Sequence, residues 1–149
     1  MSREYPKEIM DKSANSKVTY KVVTVANPAA GANFSQTVPA NKIWEIQTIH
    51  FHLVTSATVA SRYPSITIDD GTTMFGEITV NQVVPENATR EFTFAMYIQQ
   101  VGNFFNRMSA PLPLLVLNAG ARITSSVGSL LAGDQISAIA IYVKEISIA

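Results

Sequence analysis

The sequence predicts an all-β chain: a single-domain antiparallel β-sandwich, jelly-roll-like, preceded by an irregular or short helical N-terminal arm. Three observations carry that prediction. Runs of β-branched and aromatic residues alternate with polar ones at a period of two. Turn signals separate these runs at intervals of about 8–12 residues, the spacing of a sandwich or barrel. No 3.6-residue periodicity survives beyond the first 16 residues. The turns share one grammar, Val-Pro-Ala-Asn-Lys, Asp-Asp-Gly-Thr, Asn-Ala-Gly-Ala-Arg and Leu-Ala-Gly-Asp-Gln, each built from residues that fix a bend or tolerate positive φ.

Residues 1–16 hold much of the charge, in Arg3, Glu4, Lys7, Glu8, Asp11 and Lys12, and few apolar anchors, Tyr5, Ile9 and Met10. That balance predicts a short helix, a frayed terminus or an arm that orders only on a partner, with the sandwich domain spanning residues 17–149. The first strand sets Val18, Tyr20, Val22 and Thr24 against Thr19, Lys21, Val23 and Val25. A loop at 27–33, a short strand at 34–38 and a turn at 39–42 follow. Residues 43–55 form the longest extended run. In it Trp44 and Ile46 share one parity while Ile49, Phe51 and Leu53 share the other, which predicts a bulge near Gln47 and Thr48 or a strand that switches which side it buries.

After a loop at 56–64, strands at 65–69 and 74–80 pair through the Asp70-Gly71 turn. Residues 90–98 then put Phe92, Phe94, Met96 and Ile98 on one face. Residues 103–113, with Phe104, Phe105, Met108 and two prolines, read as irregular. Strands at 114–117, 122–127 and 136–146 complete a set of about eight or nine. An eight-stranded jelly roll is the first expectation and an immunoglobulin-like sandwich the second.

The 149 residues make one domain, large enough to bury roughly 70% of the unfolded chain's surface. Charged residues are 15% of the chain, against a usual share of about 25%, and the 11 basic and 11 acidic residues cancel. A neutral chain lacks the basic stripe that nucleic acid requires, so no nucleic-acid partner is expected. Little charge also means little repulsion between copies, which predicts a surface covered by neighbouring subunits. Without cysteine there are no disulfides or thiolate metal sites. No apolar run approaches the roughly 18 residues of a membrane helix, and the first residues lack a signal peptide's apolar stretch. The expected setting is a cytoplasm, with no membrane partner. Asn33-Phe34-Ser35 and Asn87-Ala88-Thr89 match the glycosylation acceptor pattern by chance in that setting.

His50 and His52, the two histidines of the chain, project from one face of a strand at i, i+2. The pair ligates a metal only if further ligands arrive from neighbouring strands or symmetry copies; the simpler expectation is a solvated or subunit-facing pair and no metal or cofactor. Asp69-Asp70-Gly71 has the turn but not the alternating oxygen ligands of a calcium loop. There is no nucleophile elbow and no phosphate-cradling glycine loop. Glu45, Glu77 and Glu91 read as the solvent faces of strands, and Trp44 as a core or rim anchor. The chain is not expected to be an enzyme, and no catalytic residue is assigned. Phe104 and Phe105 with Met108 form either a cap over one end of the sandwich or a patch that docks on another subunit.

The blocks Val38-Pro-Ala-Asn-Lys-Ile-Trp44, Thr55-Ser-Ala-Thr-Val-Ala-Ser-Arg62, Ile68-Asp-Asp-Gly71, Asn118-Ala-Gly-Ala-Arg-Ile123 and Ala132-Gly-Asp-Gln135 occur in that order. Together they resemble a group of small bacteriophage virion structural proteins with a jelly-roll-like sandwich. The resemblance spans about residues 34–145 and departs at Asn41, where glycine is usual, and at Ala60-Ser61. It implies a capsid decoration (cement) protein of the virion. Such a protein is a homo-oligomer, with a trimer favoured, that binds the major capsid protein and stabilises the outer shell. The expected contact residues are Arg3, Tyr5, Lys7, Ile9, Met10 and Lys12 of the arm, and Phe104, Phe105 and Met108 of the 102–108 loop. The alternative is a tail- or fibre-associated adsorption module that binds a host surface glycan or protein, with Trp44, Tyr63 and the Phe104-Phe105 pair as its aromatic candidates.

Overall fold

The computed structural model of the chain describes residues 16–148, so the arm candidates Arg3 to Lys12 lie outside the described residues. Strands β1 (Lys17–Val25), β2 (Ser35–Thr37), β3 (Lys42–Val54) and β4 (Tyr63–Asp69) come first. They are followed by β5 (Met74–Thr79), β6 (Thr89–Ala95), β7 (Val101–Phe104) and β8 (Arg107–Pro111). The last three are β9 (Val116–Asn118), β10 (Arg122–Gly128) and β11 (Gln135–Ser147). The chain is all-β, and its strands form two packed sheets. The larger runs β1-β11-β3-β6-β8-β7, with β9 also paired to β3; the smaller runs β2-β10-β4-β5.

The core lies between the sheets and follows from the period-two alternation of each strand. Phe51, Phe92 and Phe94 from the larger sheet and Ile66, Ile68 and Ile123 from the smaller are fully buried. The Phe51 ring stacks on Phe92 at 5.0 Å and meets the edge of Phe34 at 5.6 Å, which ties the entry to β2 onto the larger sheet. The parity change in β3 is a bulge, as expected. Tyr142 and Val143 of β11 face Thr48 and Ile46, so Gln47 is the extra residue. A second irregularity, in β11, centres on Ala138 at φ 50° and lets Ile136 and Ile139 both face inward.

Three expectations need correction. The sandwich is not wholly antiparallel, because β6 and β8 pair in parallel, Phe92 beside Met108. Residues 103–113 are not irregular: they contain the end of β7 and all of β8. Their pairing partner, β6, precedes them in sequence but lies beside β8 through a strand-and-return excursion that local pattern does not reveal. The strand expected to reach Ile98 stops at Ala95, and Tyr97 turns the chain at φ 61°.

The recurring turn blocks meet in pairs. Val38 donates its amide to the Ala121 carbonyl at 2.8 Å, and Gly120 returns a bond to the Val38 carbonyl at 3.0 Å. Arg122 Nε reaches Asp69 Oδ1 at 2.6 Å, while the same oxygen accepts the Gly71 amide at 2.7 Å. Asn41 occupies φ 59°, the left-handed region where asparagine is the best substitute for glycine. The third junction is buried. Arg62 Nε and Nη2 fork onto Asp134 at 2.9 and 2.8 Å with both side chains fully enclosed. Asp134 also accepts the amides of Ser56 and Leu131, each at 2.8 Å.

Candidate functional site

Strand register builds one broad surface, the outer face of the larger sheet. Because Phe51 points into the core, His50 and His52 point out, and the pairing rows extend from them. One row runs Ser137, His52, Glu91, Arg107 and Phe104 across β11, β3, β6, β8 and β7. The next runs Thr24, Ala140, His50, Thr93, Ser109 and Val101 across all six strands of the main path. The third holds Val22, Tyr142, Thr48, Ala95 and Pro111. Towards the other end come Tyr20, Lys144, Glu45 and Val116, then Val18, Ile146, Ile43 and Asn118.

The second and third of these rows consist of small, hydroxyl and apolar residues with one histidine, so the centre carries no charged side chain. Charge is confined to two flanking rows. In one, Glu91 accepts Arg107 Nε at 3.1 Å and sits 3.4 Å from His52 Nε2. In the other, Lys144 Nζ lies 3.5 Å from Glu45. At the β1 side the apolar parity of the strand faces out: Val18, Tyr20 and Val22 are 49%, 58% and 59% exposed. Tyr20 and Tyr142 bring their rings to 6.3 Å.

His50 Nδ1 lies 3.0 Å from Thr93 Oγ1, and its ring meets that of His52 edge-on at 5.1 Å. Burial and then the neighbouring His52 hold the His50 imidazole below its ordinary pKa, with Glu91 pulling the other way. Among the described residues no group of three or more His, Asp or Glu is placed to hold a metal ion. Glu45 and Glu91 share the outer face in its two separate charged rows, while Glu77 belongs to β5 of the other sheet and accepts Ser65 Oγ at 3.1 Å.

Phe104 and Phe105 stand exposed at the β7–β8 turn, their rings edge-on at 4.6 Å. Phe105 at φ 47° and Asn106 at φ 64° make a two-residue turn of type I′ character. Met108, grouped with them from sequence, is buried instead. In β8 alternation turns Arg107 outward and Met108 into the core beside Phe92, so Met108 is no part of an exposed contact surface. Trp44 is also enclosed, donating Nε1–H to Glu145 Oε2 at 2.7 Å, where Lys21 Nζ arrives at 2.8 Å. It presents no platform to a glycan. Tyr63 does remain exposed, beside a shallow groove of about 480 Å³ that Asn81 and Gln82 also line.

Sequence reading found the orientation of the histidines but not the continuous face. The missed signal is the outward set Val18, Tyr20 and Val22, which is as apolar as the inward set of β1. No known protein family matches the chain, and no curated protein matches it.

Proposed function

We propose that the chain is a bacteriophage virion structural protein, a capsid decoration (cement) protein that binds the major capsid protein on the outer shell as a homo-oligomer, in a non-catalytic role. The observation that carries this reading is the pairwise meeting of the turn blocks. Val38 bonds to Ala121, Asp69 to Arg122, and Arg62 to Asp134. The blocks that carry the resemblance to phage virion proteins are therefore the joints of the framework, and a likeness at joints is a likeness of fold.

We further infer a jelly roll. Removing β7, β8 and β9 leaves β1-β11-β3-β6 over β2-β10-β4-β5, the strand order expected when two Greek keys fold over each other, an architecture that recurs in viral capsid and lectin domains. Fold alone assigns no function. The uncharged centre of the outer face supports an assembly role beyond it, since such a surface is one that contact with other subunits covers.

Quantitative mass spectrometry of purified particles tests the proposal. A copy number comparable to the major shell protein is the expected result. Absence from particles refutes the virion role. A handful of copies per particle moves the protein to a vertex, neck or tail. That outcome favours the adsorption reading, for which the Tyr63, Asn81 and Gln82 groove is the specific support.

A further inference from the structure

We propose that the outer face of the seven-stranded sheet is the docking surface for a second copy of this chain, packed face to face about a twofold axis. The inference deepens the assembly reading above and rests on it for the expectation of an oligomer.

Self-docking demands a surface compatible with itself. An isologous contact sets a patch against the same patch, so any net charge on it is met by its own sign. Here each carboxylate of the face is already answered on the face. Glu91 lies between Arg107 and His52, and Glu45 beside Lys144. The face as a whole is close to neutral, and its two charged rows flank a centre of small, hydroxyl and apolar residues with one histidine. A centre free of charged side chains is what the core of a protein interface shows, since charged residues are depleted there.

Area points the same way. A residue occupies about 33 Å² of one sheet face, from a strand spacing of about 4.8 Å and a same-face repeat of about 6.8 Å. The roughly two dozen positions of the five rows then amount to on the order of 800 Å², which is about what each partner buries in a stable complex of standard size. Tyr20 and Tyr142, outward and adjacent, supply the rigid aromatic anchors on which such contacts concentrate their energy. A second sheet packs at about 10 Å with aligned strands, a geometry that an exposed six-strand path accepts and that the narrower end loops do not.

A face that meets its own copy generates a dimer or a multiple of dimers, rather than the trimer that the resemblance implies. Sedimentation equilibrium on the full chain reads this directly. The expected result is twice the chain mass for the wild type, and at least a tenfold weaker association for Tyr142→Glu with circular dichroism unchanged. Val22→Lys, on the exposed side of edge strand β1, is the second variant should Tyr142→Glu fold poorly, and it too is expected to weaken the dimer. Phe105→Glu, at the turn off the face, should leave association intact. A monomeric wild type overturns the proposal. So does a trimeric mass, or a dimer broken by Phe105→Glu and not by Tyr142→Glu. A monomer whose shell binding is lost in Tyr142→Glu assigns the face to the shell protein and equally overturns it. Absence from particles with the dimer intact sinks the decoration reading and leaves this inference standing.

Discussion

Replacing Asp134 with alanine removes one partner of an ion pair in which both side chains are fully buried. The Ser56 and Leu131 amides, each at 2.8 Å, lose their acceptor, as do Arg62 Nε at 2.9 Å and Nη2 at 2.8 Å. The guanidinium keeps the Ala60 carbonyl and Ser56 Oγ but stays enclosed without a counter-charge. Breaking a buried pair from one side costs about 3–5 kcal/mol. An amide left without an acceptor would cost on the order of 1–3 kcal/mol, but water entering the gap can re-satisfy both, so the pair dominates. We therefore expect a loss of about 4 kcal/mol, a large share of the roughly 5–15 kcal/mol by which a domain is stable.

Urea unfolding followed by circular dichroism measures this loss. With a slope of about 2 kcal/mol/M for a domain of this size, the midpoint should fall by about 2 M. A shift smaller than about 0.5 M would show that the junction does not hold the two loops together, and the reasoning fails. Acid offers a second readout. Burial alone would raise the Asp134 carboxyl, but the Arg62 bonds and the Ser56 and Leu131 amides outweigh it and hold the carboxyl at about 2, against an ordinary 3.8. Above 3.8 both folded and unfolded chains carry the carboxylate and the full stabilisation is present. As pH falls below that, the unfolded chain takes up the proton first, and the contribution drains away towards pH 2. Asp134→Asn should flatten that part of the stability profile.

Further outcomes follow from single positions. A Cβ on Gly31, at φ 76°, would lie 2.7 Å from the Ala132 Cα, whereas one on Gly71, at φ 94°, meets nothing within 4 Å. Gly31→Ala should therefore cost about 2–4 kcal/mol and Gly71→Ala only about 1–2 kcal/mol by chemical denaturation; equal losses would contradict the packing described at Gly31. Replacing Phe105-Asn106 by Asn-Gly relieves a bulky residue held at φ 47° and should add about 1 kcal/mol of stability. A loss would instead show that the aromatic ring is needed to fold the turn. Burial and His52 hold the His50 imidazole below its ordinary 6.5 in the folded chain, so as pH falls through that value the unfolded chain takes up the proton first and stability should drop. His50→Gln should remove that component, which thermal melts between neutral and mildly acidic pH will read.

Much of the framework was legible in the residues. The parity switch between Ile46 and Ile49 is a local fact about 13 residues of β3; it pointed to a bulge near Gln47 and Thr48 or a change of face, and pairing with β11 put the extra residue at Gln47. Asn41, Gly71 and Gly120 mark turns because only a few residue types relax at positive φ. The outward placement of His50 and His52 followed from Phe51 between them. Met108 was misplaced for the complementary reason. A lone methionine near two exposed phenylalanines has no periodicity of its own, and only pairing with Phe92 turns it inward.

By itself, then, the sequence determined the class of fold, the position of its turns and which residues of a strand share a face, because these depend on backbone φ and a period of two. The tertiary structure alone decided which strands lie side by side. The parallel β6–β8 pair, the buried fork of Arg62 on Asp134 across 72 positions, and the assembly of five short rows into one charge-balanced face are all products of long-range register. Register is set by how the two sheets share a single core, and no local window contains that information.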